Sequence, residues 1–269
     1  MIEYQIFISS SDSYSDLWPI FFDLFKKHWP EYTGKIYLNT EEKTFQKEGL
    51  QIICTKVGHH KSFGATFLKG LETIQSNNVL LIMIDYLLMG KTINEKMNEY
   101  YKYFSENNID SLCLTHQNYP NVITSSNNEL YKVLHPAPHI MFSFQIAFWK
   151  KSILRQMVLP HESPWTAEWF GTLRAEKMEI NLYSIADKKF NPIPYNTAGC
   201  LHKGKWLSDA VNYLKSINYN INFDERGYFK DIPITHKNKI QTKWPFVKDG
   251  IKGSYWDLHN KKKIGPNIY

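Results

Sequence analysis

Cysteine is scarce in this chain, and the three present, Cys54, Cys113 and Cys200, are odd in number and far apart. That excludes a disulfide framework and a cysteine-built zinc knuckle, and it fits reduced thiols in a cytoplasmic protein. Glycine and proline are few, at 13 and 12 of 269 residues, and no stretch is of low complexity. Neither a flexible linker nor an internal repeat is therefore expected. The opening residues carry no basic segment and no small-residue cleavage site, so no signal peptide is expected. The fingerprints Gly-x-x-x-x-Gly-Lys-Ser/Thr, Gly-x-Gly-x-x-Gly, His-Glu-x-x-His and Gly-x-Ser-x-Gly are all missing. Readings as a P-loop NTPase, a Rossmann dehydrogenase, a zincin or an α/β-hydrolase thus lack their motifs. His135 and His139 are four apart, but the prolines between them forbid the helix that would converge them on zinc.

What is present is apolar and aromatic. At 43% hydrophobic, the chain can bury a full core as one large domain or as a domain with an appendage. Aromatics reach 15%, more than an ordinary core requires. Flat amphipathic rings of this kind either fill the core or line a cleft where they stack on sugars or bases.

The most telling stretch runs from Asn77 to Leu88. Val79–Ile84 is an unbroken apolar run that ends abruptly in Asp85-Tyr86. Six apolar residues are too few to span a membrane and about right for a strand buried on both faces. Such strands belong to parallel sheets, which bind ligands just beyond the carboxyl ends of their strands. Asp85 thus either caps the next turn or faces a ligand.

The pattern around it alternates. Strands are expected near Ile6–Ser9, Lys35–Leu38, Gln51–Thr55, Val79–Ile84 and Ser111–Leu114, with helices near 16–28, 62–76 and 93–106. This predicts an α/β protein with a mostly parallel sheet covered on both faces. Beyond residue 120 the pattern is less regular. Met141–Phe148 reads as a strand, Lys151–Met157 as a short helix and Trp165–Lys177 as a longer one. Glu179–Ser184 reads as a strand and Lys205–Ile217 as a helix.

Several short motifs resemble one family. The helix at Ser62–Ile74, the buried strand and its terminal Asp85-Tyr86 resemble the nucleotide-sugar half of GT-A-type glycosyltransferases, closest to bacterial enzymes of capsule and lipopolysaccharide biosynthesis. Ser11-Asp12-Ser13-Tyr14-Ser15-Asp16-Leu17-Trp18, Gly204-Lys205-Trp206 and Arg226-Gly227 resemble further landmarks of that group. The likeness covers most of residues 1–230. It implies a GT-A-like, Rossmann-like domain over 1–235, with a nucleotide-sugar half at 1–120 and an acceptor half at 121–235. That family's strand usually ends in Asp-Asp-Tyr/Phe, a version of the Asp-x-Asp metal motif. Here Ile84 stands at the first acidic position, which puts metal dependence in doubt. A divalent cation, Mg²⁺ or Mn²⁺, would be held by Asp85 alone together with the donor's phosphates.

Candidate site residues follow. An inverting transferase needs a carboxylate to take the acceptor hydroxyl's proton. In the enzymes this chain resembles, an acid at the start of a helix does so, which points to Glu168 and, as an alternative, Glu162. Ser163 caps that helix, Pro164 occupies its first position, and Glu168 lies in its second turn between aromatics able to contact a sugar. Either acid also has the plain role of favouring a helix N-terminus. Donor-binding candidates are Ser9, Ser10 and Asp12 after the first strand, Lys61 with His59 and His60 before the second helix, and Asp85 with Tyr86. Arg226 joins them, as one of only three arginines among 32 basic residues, because a planar fork grips phosphate bidentately; its other role is an ion pair.

Charge is unevenly placed. Residues 236–269 hold eight lysines and two aspartates, a net +6 that equals the charge of the whole chain. Trp244, Phe246, Tyr255 and Trp256 are interleaved with those lysines. Such a segment suits an anionic membrane surface, and equally a tail packed on its own domain. No nucleic acid partner is expected, since the neutral body offers no second basic surface. The expected function is transfer of a sugar from a nucleotide-sugar donor to a glycan or lipid-linked acceptor in surface polysaccharide assembly. It would take place in the cytoplasm, at the inner face of the membrane where the tail attaches. The alternative is a module of the same fold that binds nucleotide-sugar or glycan without catalysis; a sugar nucleotidyltransferase would carry a Gly-rich loop after the first strand.

Overall fold

A computed structural model of the protein describes residues 4–60, 62–117, 119, 122–124, 128–135 and 141–230. The first half runs β1 (Gln5–Ser9), α1 (Leu17–His28), β2 (Lys35–Leu38), β3 (Gln51–Cys54), α2 (Phe63–Glu72), β4 (Asn78–Met83), α3 (Asn94–Glu106) and β5 (Ser111–Cys113). The second runs β6 (Val122–Thr124), β7 (Leu130–Val133), β8 (Ala147–Lys150), α4 (Lys151–Leu154), α5 (Pro164–Lys177), β9 (Leu182–Ile185), β10 (Leu201–His202), β11 (Lys205–Trp206) and α6 (Ser208–Ser216).

Among the described residues, β1 to β9 form one sheet in the order β3-β2-β1-β4-β8-β5-β9-β7-β6. β3, β2, β1, β4, β5, β9 and β6 point one way, and β8 and β7 run against them. The sheet is mostly parallel, as the alternating pattern predicts. Period-two side-chain placement gives each central strand two buried faces. Ile6, Ile8, Leu80, Ile82 and Ile84 pack on one side with α1, α3 and α6. Phe7, Val79 and Leu81 pack on the other with α2, α4 and α5. Ile84 therefore occupies a core position, 3% exposed. The place where the resemblance expects an acid points into apolar packing.

Local chemistry explains the boundaries. Ser62 caps α2, accepting from Ala65 N–H at 3.4 Å. α2 stops at Glu72, short of the predicted residue 76, where Thr73 Oγ1 donates to the Gly70 carbonyl at 2.7 Å. α5 opens on a reciprocal Ser163–Thr166 capping box with Pro164 in the first turn.

Two segments differ from expectation. Met141–Ile146 is not a strand; pairing begins only at Ala147. Its alternate N–H groups bond to side chains instead: Phe142 to Thr172 Oγ1 at 3.2 Å, Phe144 to Glu168 Oε1 at 2.9 Å and Ile146 to Tyr195 Oη at 3.2 Å. Side chains replace a neighbouring strand and satisfy the backbone. The predicted helix at Lys205–Ile217 begins only at Ser208. Lys203 and Gly204, at φ of 50° and 77°, make the two-residue turn of a hairpin between β10 and β11. No helix among the described residues is long and apolar enough to cross a membrane.

Candidate functional site

The carboxyl ends of β1, β2, β3 and β4 open at the same edge of the sheet as the segment entering β8, because β8 runs against its neighbours. Asp85 and Tyr86 follow β4 there. Asp85 keeps a partly exposed surface, and no ion pair reaches it among the described residues. Burial pushes its carboxyl up to about 6, with its own backbone N–H acting in the opposite direction. The backbone carbonyl of Asp85 accepts from Cys200 N–H at 2.8 Å. This fastens the β4 loop to the segment leading into β10.

Tyr86 is buried and its hydroxyl is held well above its ordinary range, first by burial, then by the charges of Asp85 and Glu168 among others. Gln145 Nε2 donates to Tyr86 Oη at 3.1 Å and to the Thr197 carbonyl at 3.1 Å, while its Oε1 accepts from Tyr195 Oη at 2.7 Å. Tyr195 Oη also pairs with Thr115 Oγ1. This partly buried polar net ties the β4 loop and the segment before β8 to residues 195–197.

Glu168 stands on α5. Its Oε1 accepts from Phe144 N–H, and among the described residues its Oε2 has no hydrogen-bond partner. Burial raises its pKa, with the Phe144 N–H pulling the other way. A carboxylate with one anchored and one open oxygen is equipped to hold a hydroxyl and take its proton.

Glu162 lies elsewhere. It is 1% exposed, and both its oxygens accept from Arg174 at 2.9 and 2.7 Å. Leu159 N–H donates to Oε2 at 2.8 Å, and Gly64 N–H donates to the Glu162 backbone carbonyl at 2.9 Å. This acid joins α5 to α2 and presents no oxygen to the cleft.

The donor-binding candidates divide. Ser9 is buried, and its carbonyl accepts from Ile84 N–H at 3.0 Å. Ser10 Oγ accepts from Trp18 Nε1 at 2.8 Å. Asp12 accepts from the N–H groups of Glu41, Glu42 and Lys43, each at 2.9 Å. Desolvation works against its charge, but those three donors and the Lys43 ammonium outweigh it and lower its pKa. Asp12 thus ties the β1 loop to the β2 loop. His60 Nε2 lies 2.9 Å from the Val57 carbonyl, and His59 stands within 3.7 Å of Glu41 and 3.5 Å of Glu42. Lys61 and the basic segment 236–269 lie outside the described residues. Arg226 forks onto Asp16, donates to the carbonyls of Ser13 at 2.9 Å and Gly204 at 3.3 Å, and stacks over Tyr14 at 5.1 Å. The segment that Asp85 holds through Cys200 is thus the one whose Gly204 carbonyl Arg226 reaches four residues later.

Sequence reasoning missed Asp16, Gln145, Tyr195 and Gly199. Gly199 has a φ of +79°, and a Cβ there would come within 2.6 Å of Asp85 Oδ2. Asp16 lies within the quoted Ser11–Trp18 motif, and its i,i+210 pairing leaves no local trace. Among the described residues no three His, Cys, Asp or Glu side chains gather as a ligand set. Asp85, partly exposed and without an ion pair among the described residues, is the side chain that could hold a divalent cation there, with phosphates completing the shell as Mg²⁺ commonly accepts.

No family model matches the sequence, and no curated protein matches it. Solved structures do resemble it in shape. Staphylococcus aureus TarS 1-349 superposes with a TM-score of 0.50 at 14% identity, over 72% of this chain and 59% of that one. The fold is GT-A-like. TarS 1-349 in complex with UDP-GlcNAc gives 0.49 at 11% identity, over 84% and 69% of the two chains. A UDP-glucose pyrophosphorylase bound to UDP-glucose gives 0.44 at 10%, over 73% and 92%. The chain thus spans about three-fifths of the TarS chain named first.

Proposed function

We propose that the protein is a glycosyltransferase that moves a sugar from a nucleotide-sugar donor to a glycan or lipid-linked acceptor in surface polysaccharide assembly. One arrangement carries the reading: at the carboxyl edge of a GT-A-like sheet, the adjacent residues Phe144 and Gln145 bond respectively to Glu168 and to Tyr86, the neighbour of Asp85, and so bring the two carboxylates to one place. The UDP and UDP-GlcNAc complexes of TarS, which shares the fold, support a uridine-type donor as the first to test.

In this reading Asp85 sits beside the donor diphosphate. A bound Mg²⁺ or Mn²⁺ would supply positive charge there to offset the leaving group. Arg226, Asp16 and Tyr14 hold the segment after β1 against the β10–β11 hairpin and so shape the donor side. Glu168 Oε2 takes the proton of the acceptor hydroxyl as its oxygen attacks the anomeric carbon, in a single inverting displacement. Its raised pKa makes it a stronger base than an exposed carboxylate. Residues 236–269 would bring the enzyme to the inner face of an anionic membrane.

A second reading, a binding module of the same fold without catalysis, is favoured by one feature: Ile84 is buried in the core where an acid would stand. A thermal-shift screen against UDP-, GDP-, CMP- and dTDP-sugars, with and without Mg²⁺ or Mn²⁺, tests the donor. Hydrolysis or transfer of the sugar from whichever donor binds then separates enzyme from module. Failure of every nucleotide-sugar to shift the transition would defeat the transferase reading and leave only a glycan-binding module.

A further inference from the structure

Six tryptophans lie among the described residues. Trp18, Trp29, Trp149 and Trp206 are each at most 2% exposed. Trp165 and Trp169 are 52% and 55% exposed, and both stand on α5, three residues before and one after Glu168. Trp165 and Leu173, 57% exposed, lie eight residues apart on the same helix, so the exposed indole belongs to a larger apolar surface of α5, the kind that marks a binding site.

Trp165 is also held in place. Its ring centroid lies 6.3 Å from that of His202, and His202 meets Phe229 edge-on at 4.4 Å. His202 belongs to β10, two residues after Cys200, which donates to Asp85. Phe229 is fixed by its N–H donating to the Trp206 carbonyl at 2.8 Å. Rings from three separate segments thus form one rim that starts at the Asp85 loop and ends one helical turn from Glu168.

We propose that Trp165, with His202 and Phe229 behind it, is a stacking platform for a pyranose ring of the acceptor glycan. The proposal rests on the glycosyl-transfer reading of the same site and adds the means of acceptor recognition. A pyranose has an apolar C–H face and a hydroxylated edge. The exposed indole matches the face, and the open oxygen of Glu168, at i+3 on the same helix, matches the edge. The donor side lies at Asp85 and the β1 loop, and His202, two residues after the Cys200 that bonds to Asp85, sets a ring stacked on Trp165 beside it. Histidine rather than a third hydrocarbon ring behind the indole keeps the platform amphipathic, as a sugar surface requires.

The test uses the full chain and four probes, chitobiose, cellobiose, maltose and lactose, read by saturation-transfer NMR and by quenching of tryptophan fluorescence. At least one disaccharide is expected to bind the wild type. Trp165→Ala should weaken that binding about tenfold or more, and Trp165→Phe should restore most of it. Affinity for UDP should be equal in all three proteins, measured in the same buffers. The melting temperature should change little in either variant, since the ring is half in water; if Trp165→Ala does not fold, the comparison of Trp165→Phe with Trp165→Leu decides instead. The proposal is overturned if no disaccharide binds the wild type, or if Trp165→Ala binds it equally well. It is overturned too if the variant loses UDP affinity, which would make the ring a base-stacking group, or loses only binding to phosphatidylglycerol vesicles. A disaccharide signal that depends on Trp165 in a protein that ignores every nucleotide-sugar would keep the platform and remove the transferase reading.

Discussion

Asp85 and Gly199 are packed so closely that a single methyl group on residue 199 would stand 2.6 Å from Asp85 Oδ2. The φ of +79° at Gly199 adds a second demand for glycine, because left-handed backbone strains a residue with a Cβ. Gly199→Ala should therefore cost about 1–3 kcal/mol of stability and weaken donor binding by displacing the carboxylate. Chemical denaturation and nucleotide-sugar titration read the two effects. Combining it with Asp85→Ala should recover part of the loss, since the colliding oxygen is gone. Simple additivity of the two changes would show that the contact is not felt.

Asp85 itself should trade stability for binding. Its carboxyl is raised to about 6 in the folded protein, so the native state holds a proton that the unfolded chain has lost between the usual carboxylate range and pH 6. Stability contributed by this group is thus present at low pH and lost as pH rises through 6. Asp85→Asn, measured in EDTA, should match the wild type near pH 4 and exceed it by ~1–3 kcal/mol at pH 8. The same variant should bind nucleotide-sugar more weakly with Mg²⁺ present. A stability difference that does not vary with pH would place the raised value in error.

Glu168→Gln should lower kcat by ~10²–10⁴ and leave donor affinity nearly intact. The amide oxygen can still accept from Phe144 N–H, so the fold should hold, whereas Glu168→Ala would also orphan that donor. As a base, Glu168 works ionised, and its pKa is raised. The acid limb of kcat/KM should therefore lie above the ordinary carboxylate range and vanish in the glutamine variant. Wild-type turnover in Glu168→Gln would end the assignment.

Glu162→Ala should behave differently. It leaves the Arg174 guanidinium, whose Nε already lacks a partner, facing a hole where a carboxylate stood. A loss of ~3 kcal/mol is expected, because removing one member of a buried pair strands the other. Activity per folded molecule should persist below the new melting point. A selective fall in kcat at unchanged stability would return Glu162 to the chemistry.

Much of this architecture is legible in the sequence for a physical reason. Val79–Ile84 has no polar residue to place in water, so it must be sandwiched, and a sandwiched strand places its terminal Asp85 at a ligand edge. Ser163-Pro164 states the start of α5 through backbone geometry alone. The positions that resist such reading depend on distant partners. Nothing local to Met141–Ile146 reveals that its N–H groups go to Thr172, Glu168 and Tyr195 rather than to another strand. Arg226 reads equally as phosphate clamp or ion pair until Asp16, 210 residues away, is seen in its fork. Glu162 and Glu168 look alike in sequence; only Arg174, twelve residues after Glu162 on α5, tells them apart.

The position of β8 has a consequence for synthesis. It lies between β4 and β5, although both are made before it. A nascent chain that has emerged only as far as residue 120 thus leaves unpaired one edge of β4 and both edges of β5, each rich in apolar side chains, because β9, the other neighbour of β5, is also still to come. Until Ala147–Lys150 and Leu182–Ile185 leave the ribosome, those edges are templates for any extended segment nearby. The polar net at Tyr86 waits on the first of these, because Gln145 and Phe144 arrive with β8.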